Sequence, residues 1–364
     1  MTDAAGDGAP GPLNLIAELT YRCPFQCPYC SNPIDFRDYR ESLSAEDWGR
    51  VFDEAAALGV VHVGLTGGEP SARRDLEEIV ERAVAADLYP HLMTAGLPLD
   101  VERLNGLAER GVRSVQISLQ DATAEGSDRI AGTPSFEQKI AICERTVELG
   151  LALTLNCVLH RDNLASVPDL IALAQRLHAD RLELANTQYH AWALKNRAAL
   201  MPTQEQLSEA SEVVRAAQRR QAEGKEDPNL KMLFVLPDYF ADRPKPCMGG
   251  WGKLAMVVNP TGLVLPCHEA GELRGLEFWS ATEHSIAECW NDSPGFQAYR
   301  GTDWMSEPCR SCADRESDFG GCRCQTFRLL GDASLTDPAC ERSSEHHQIV
   351  AARSESSAAF VPRR

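Results

Sequence analysis

Three cysteines fall within eight residues, Cys23-Pro-Phe-Gln-Cys27-Pro-Tyr-Cys30, directly after an apolar run, Leu13 to Leu19, with the pattern of a strand. Three thiols on so short a loop suit a metal or a cluster better than a set of disulfides. An iron–sulfur cube offers four irons, so three loop cysteines fill three and leave one open to an external ligand. Zinc loops more usually show paired C-x2-C units or added histidines. The spacing therefore favours a cluster and leaves zinc and incidental thiols as alternatives.

The rest of the chain bounds the setting. At 364 residues it can bury a large core and is expected to hold one large domain and a smaller one. Its 43% hydrophobic and 24% charged residues are ordinary for a globular protein. A net charge of −17 disfavours bulk nucleic-acid binding. No run approaches the length of a membrane span. Met1 to Pro12 has neither a basic start nor an apolar core, so no secretory signal is expected and the location expected is cytoplasmic. There the 13 cysteines would be thiols, and their clustering favours metal or redox chemistry. Eight of them lie between Cys247 and Cys340, separated from the first loop by a cysteine-poor scaffold.

That scaffold alternates. Strands are expected at the first apolar run, Val60–Leu65, Leu88–Met93, Ser114–Leu119, Leu151–Leu159 and Arg181–Ala185. Helices are expected between them, the first capped by Ser44. Six βα units imply a parallel sheet with helices outside, wound into a barrel or part of one. Substrate loops then lie at the strands' C-terminal ends, where the three-cysteine loop falls. Gly67-Gly68-Glu69-Pro70 follows the second strand: its glycines would let backbone approach a ligand closely, and Glu69 is a charged acceptor. Alone, it reads more readily as an ordinary strand-to-helix turn. A polar connector is expected over 201–240. Leu254–Val258 and Leu263–Leu265 flank Asn259-Pro-Thr-Gly262 as a hairpin. The boundaries are read as a flexible tail over 1–12, the barrel over 13–200, a cysteine-rich domain over 241–345 and a flexible tail over 346–364.

C-x3-C-x2-C with an aromatic residue before the third cysteine resembles the signature of the radical S-adenosyl-L-methionine (SAM) enzymes. The resemblance implies a partial (β/α)6 barrel and a 4Fe–4S cluster on Cys23, Cys27 and Cys30. Its open iron binds SAM, and one electron releases a 5′-deoxyadenosyl radical. It also implies that Gly67, Gly68 and Glu69 hold the methionine amino group. Ser118, Gln120 and Asn156 would contact the ribose or the methionine carboxylate, and Tyr29 would seat adenine through its backbone. The polar cluster Asn186 to His190 could face adenine or substrate, or be a satisfied loop. Cys143, Cys157 and Cys289 read as packing.

Cys247-x14-Gly262-x4-Cys267, then Cys309-x2-Cys312-x5-Asp318-x3-Cys322-x-Cys324, then Cys340, resembles the SPASM extension of peptide-modifying radical SAM enzymes. That extension implies two auxiliary iron–sulfur clusters. Asp318 stands where the pattern has a cysteine and is read as an oxygen ligand, the alternative being a surface acid. By family pairing, Cys309, Cys312, Asp318 and Cys340 form the outer site. Cys247, Cys267 and Cys322 form the inner one, with Cys324 as fourth ligand. The doubled thiols leave a 2Fe–2S or a 4Fe–4S centre open there.

Leu19 to Pro33, Leu182 to Asn186 and Asp318 to Gln325 narrow the resemblance to the radical SAM/SPASM enzymes of pyrroloquinoline quinone (PQQ) biosynthesis. The likeness runs from Leu13 to Cys340. It implies a carbon–carbon cross-link between a Glu γ-carbon and a Tyr ring carbon of the precursor peptide PqqA, presented by the carrier PqqD, with a flavodoxin-like reductant. Two alternatives stand beside it. One is another SPASM-type peptide maturase. The other is a non-catalytic iron–sulfur or zinc protein, which leaves Gly67 to Pro70 unexplained.

Overall fold

The computed structural model describes residues 11–36, 38–355, 359–361 and 363. Every expected strand forms: β1 (Asn14–Thr20), β2 (His62–Gly67), β3 (Tyr89–Thr94), β4 (Ser114–Ser118), β5 (Ala152–Leu159) and β6 (Arg181–Asn186). Three more complete one sheet: β7 (Lys231–Phe234), β8 (Ala255–Val258) and β9 (Val264–Leu265). The order is β7-β6-β5-β4-β3-β2-β1-β8-β9, with every pairing parallel except β8 with β9.

Period-two alternation marks β5 and β6, while β1 and β2 are short apolar runs buried on both faces. On β5, Leu153, Leu155, Cys157 and Leu159 are buried, while Thr154 and Asn156 on the other face are half-buried. The apolar face packs on helices α1 (Ala45–Ala57), α2 (Leu76–Ala85), α3 (Val101–Glu109), α4 (Ala124–Ala131), α5 (Phe136–Glu148) and α6 (Val167–Arg176). Trp48, Val51 and Phe52 of α1 are fully buried against this sheet. A capping box starts α1: Ser44 N donates to Asp47 Oδ2 (2.9 Å) and Asp47 N to Ser44 Oγ (3.2 Å). Such a cap contributes about 1 kcal/mol. Cys143, Cys157 and Cys289 are all fully buried packing residues.

The structure differs from expectation in four places. β7 lies inside the expected connector and extends the parallel sheet past β6. The hairpin β8–β9 does not stand apart, because β8 pairs with β1 and continues the barrel sheet. Helix α4 was not expected: its sequence includes Gly126 and Ser127, and its start is set by Thr123 Oγ1 accepting from Gly126 N (3.2 Å). The tail expected to be flexible over 346–364 contains a helix, His346–Arg353, that buries Ile349 and Ala352 against Tyr189, Leu200 and Tyr239. Of the flexible tail expected over 1–12, all but Gly11 and Pro12 lies outside the described residues. Among the described residues, no helix is long and apolar enough to cross a membrane.

Candidate active site

The three-cysteine loop leaves β1 at its C-terminal end and is tied down from three sides. Gln26 N donates to Ala131 O at the end of α4 (2.8 Å), Asn196 Nδ2 to Pro28 O (2.9 Å) and Ala193 N to Cys30 O (3.3 Å). Phe25 is buried, with Lys139 Nζ 4.8 Å from its ring centre. All three thiols are half-buried. Burial pushes Cys27 up to about 12 and also raises Cys23 and Cys30, with the Arg363 guanidinium pulling the latter two back. A metal that binds here must displace those protons.

The glycines of Gly67-Gly68-Glu69-Pro70 serve the chain before any ligand. A Cβ on Gly67 would stand 2.2 Å from Thr20 O, and one on Gly68 would stand 2.6 Å from the Tyr21 and Arg22 carbonyl oxygens. They let the end of β2 close on the end of β1, with Gly68 N donating to Thr20 O (2.5 Å) and Glu69 N to Arg22 O (2.8 Å). The Glu69 side chain is fully buried. Its Oε1 accepts from Ser71 N (3.0 Å), Ser71 Oγ (2.6 Å) and Thr94 Oγ1 (2.7 Å), and its Oε2 from Ala95 N (2.6 Å). Burial raises its pKa and these four donors oppose the rise. Glu69 thus welds the ends of β2 and β3 together and fixes the turn beside the cysteine loop.

Gln120 plays a similar part. It is buried after β4, donates to Tyr29 Oη (3.0 Å) and accepts from Ser127 Oγ (3.3 Å) and from Lys139 Nζ. Lys139, which the sequence reading missed, is fully buried in α5, and burial lowers its pKa to about 8. Tyr29 itself packs on His160 with ring centres 5.7 Å apart. Ser118 ends β4 half-buried, and Asn156 Nδ2 donates to Glu183 Oε2 (3.2 Å) on the same sheet face.

The later cysteines gather into two groups. Cys267 Sγ and Cys324 Sγ are 3.4 Å apart. Cys247 makes thiol contacts with Cys267 and Cys322, and Cys322 with Cys324. Shared hydrogen bonds from Cys247 and Cys324 lower the pKa of Cys267 and raise those of both donors in turn. In the other group, Cys312 Sγ accepts from Arg342 (3.4 Å) and Arg243 (3.6 Å). Cys309 feels the charges of Asp318 and Cys340. Asp318 is half-buried, and its Oδ1 accepts from Gly320 N (2.8 Å). Among the described residues, no three His, Cys, Asp or Glu side chains are disposed around a single metal ion. Four converging thiols are the kind of donor set that an iron–sulfur centre takes.

Between Ser31, next to Cys30, and the inner thiols lies a cavity of about 360 Å³. Its wall holds residues that the sequence reading did not single out. His268 Nδ1 is 2.6 Å from Glu18 Oε1, and Tyr21 Oη donates to Glu18 Oε2 (2.8 Å). Burial pushes Glu269 up to about 7, against the pull of Arg328 at 3.0 Å. Arg363, near the end of the chain, is buried as well. It donates to Tyr21 O (3.3 Å) and lies 3.9 Å from the Phe36 ring centre.

A three-cysteine loop and an interlocked glycine–glutamate turn at neighbouring strand ends, with a second thiol group across a cavity, are the arrangement of a radical SAM enzyme carrying a SPASM extension. The radical SAM superfamily model matches residues 17–174, and the SPASM iron–sulfur cluster-binding domain model matches residues 247–313. A PqqA peptide cyclase of Methylobacterium nodulans is 50% identical over 355 residues, 97% of this chain and 92% of that protein. One from Methylorubrum extorquens is 48% identical over 357 residues, 98% and 92% of the two chains. The chain belongs to the PqqA peptide cyclase family. In fold it is similar to Streptococcus suis SuiB bound to S-adenosylmethionine, with a TM-score of 0.76, 18% identity, and coverage of 91% of this chain and 78% of that one. It is also similar to anSMEcpe with bound AdoMet, with a TM-score of 0.67, 15% identity, and coverage of 94% and 96%.

Proposed function

We propose that this protein joins a glutamate γ-carbon to a tyrosine ring carbon within PqqA, an early step of PQQ biosynthesis. The observation that carries the reading is the 50% identity to a PqqA peptide cyclase over 97% of the chain. The cavity between the cysteine loop and the inner thiols supports it, since a peptide segment there would meet both cysteine-bearing elements. A 4Fe–4S cluster held by Cys23, Cys27 and Cys30, with SAM, would supply the adenosyl radical that removes a hydrogen atom from carbon. The Gly67–Pro70 turn, with Ser118, Gln120, Asn156 and Tyr29, frames the space for SAM at the strand ends. The chain's own part is positional. Glu69 and Gln120 fix the loop and turn to the sheet, and the cavity shields reacting carbons from water.

Two auxiliary clusters belong to the proposal. Cys247, Cys267, Cys322 and Cys324 would hold the inner one, with two or four irons. Cys309, Cys312, Asp318 and Cys340 would hold the outer one. PqqD is proposed as the carrier that presents the peptide, a flavodoxin-like protein as reductant and the cytoplasm as the location. In the peptide the net change is loss of two hydrogens, one as a hydrogen atom from the glutamate γ-carbon and one as a proton and an electron from the ring. The test is anaerobic incubation of reconstituted protein with SAM, reductant, PqqA and PqqD, read by peptide mass. A product lighter by two hydrogens supports the reading. SAM cleavage with PqqA unchanged moves the substrate to another peptide.

A further inference from the structure

We infer that the cavity between Ser31 and the inner thiols receives the substrate's tyrosine ring, and that the His190 imidazole accepts a hydrogen bond from its phenol hydroxyl. The inference rests on the proposed PqqA cross-link and assigns one of its two side chains a place.

His190 follows β6 at the strands' C-terminal end, only 5% exposed, and it lines the cavity. Its ring makes no hydrogen bond to any described residue, and Nδ1 is buried without a partner. The facing acid, Glu269, has Oε2 3.9 Å from that nitrogen, beyond hydrogen-bond reach. A buried imidazole left unpaired is costly, so its place on a cavity wall points to a partner that arrives with the ligand.

The wall chooses between the two side chains that the reaction joins. Among the described residues, Lys245 on this wall pairs with Asp238 (3.0 Å), Arg328 behind it pairs with Glu269 (3.0 Å), and His268 Nδ1 lies 2.6 Å from Glu18 Oε1. An incoming carboxylate would therefore meet Asp238 and Glu269, with no unpaired lysine or arginine among the described residues of the wall. A phenol brings no charge, and its one polar group matches one free imidazole. Pro246 and Met248 supply apolar and sulfur surface suited to an aromatic ring.

A binding cycle tests this without turnover. SAM-loaded, unreduced holoenzyme is titrated with fluorescently labelled PqqA and with the same peptide carrying phenylalanine at the cross-linking tyrosine. The wild type is expected to favour the tyrosine peptide about tenfold, the weight of one buried hydrogen bond. His190→Ala is expected to bind both peptides alike, with iron content unchanged. His190→Asn, which keeps a polar group and little of the ring, is expected to retain part of the preference. If His190→Ala and His190→Asn both weaken the two peptides equally, or the wild type shows no preference, the inference is overturned. A wild type that neither binds nor cross-links PqqA overturns the substrate reading itself, and this inference with it.

Discussion

Cys267 and Cys324 bring their sulfur atoms to 3.4 Å although 57 residues separate them in the chain. Two local devices make that meeting. Gly262, at φ +88°, turns the chain between β8 and β9 and returns it toward Cys267. Cys324 lies in the first turn of the helix Arg323–Leu330. Buried Asp337 anchors that turn, accepting from Cys322 N (2.7 Å) and Gln325 Nε2 (3.0 Å). Buried Arg323 binds the following loop through Ala333 O (2.7 Å) and Leu335 O (2.8 Å).

Cys324 is therefore predicted to be a ligand of the inner auxiliary centre. Cys324→Ala should lose that centre's iron while the loop cysteines keep theirs, so that SAM cleavage persists. Cys289→Ala, at a fully buried cysteine packed in the barrel core, should leave iron per chain unchanged. Iron and sulfide analysis of the two reconstituted variants checks this. Full iron content in Cys324→Ala would show that three thiols suffice.

Glu69 is predicted to matter first for the architecture. Glu69→Ala strands four donors, the buried Ser71 N and Oγ and Thr94 Oγ1 together with Ala95 N. It should cost about 3 kcal/mol or more. Glu69→Gln, which keeps one oxygen, should cost less. SAM affinity should fall in the same order, about tenfold or more for the alanine variant, because the turn beside the cluster loop loosens. Urea unfolding and equilibrium SAM binding measure the two effects. A stable Glu69→Ala that binds SAM normally would contradict the role.

The pH dependence of stability should carry the signature of His91. Burial, with a smaller push from His62, lowers its pKa from 6.5 to about 4. The unfolded chain then binds a proton that the folded chain refuses. The contribution is present above pH 6.5 and is lost as pH falls toward 4. At pH 5 this amounts to about 2 kcal/mol relative to pH 7. His91→Gln should flatten the stability profile by that amount between pH 7 and pH 5 in urea unfolding of the cluster-free chain. An unchanged slope would rule out His91 as a source.

Much of this was legible in the chain. Of the six barrel strands, β5 and β6 show apolar residues in alternation and β1 and β2 read as short apolar runs, and the cysteine spacings mark both ends of the site. β7 was not legible, because Lys231–Phe234 is a four-residue edge strand whose residues are half-buried or exposed, so no buried face marks it. The pairing of β8 with β1 joins segments some 240 residues apart, as does the contact between His268 and Glu18 across 250, and no local pattern announces either. Gly67 and Gly68 were seen as open backbone for a ligand, and the space they leave is filled first by the carbonyls that follow β1 and end it. His190 was visible only as a polar residue after a strand. What distinguishes it is the absence of a hydrogen-bond partner, which depends on everything packed around it.

The most direct measurement of the central claim is deuterium transfer during turnover. PqqA carrying deuterium at the γ-carbon of the glutamate to be cross-linked is incubated anaerobically with reconstituted protein, SAM, reductant and PqqD. The account predicts deuterium in the released 5′-deoxyadenosine, and a peptide that has lost one deuterium and one hydrogen, with fragmentation mapping a new bond between that glutamate and a tyrosine. Unlabelled 5′-deoxyadenosine with an intact, fully labelled peptide would contradict it.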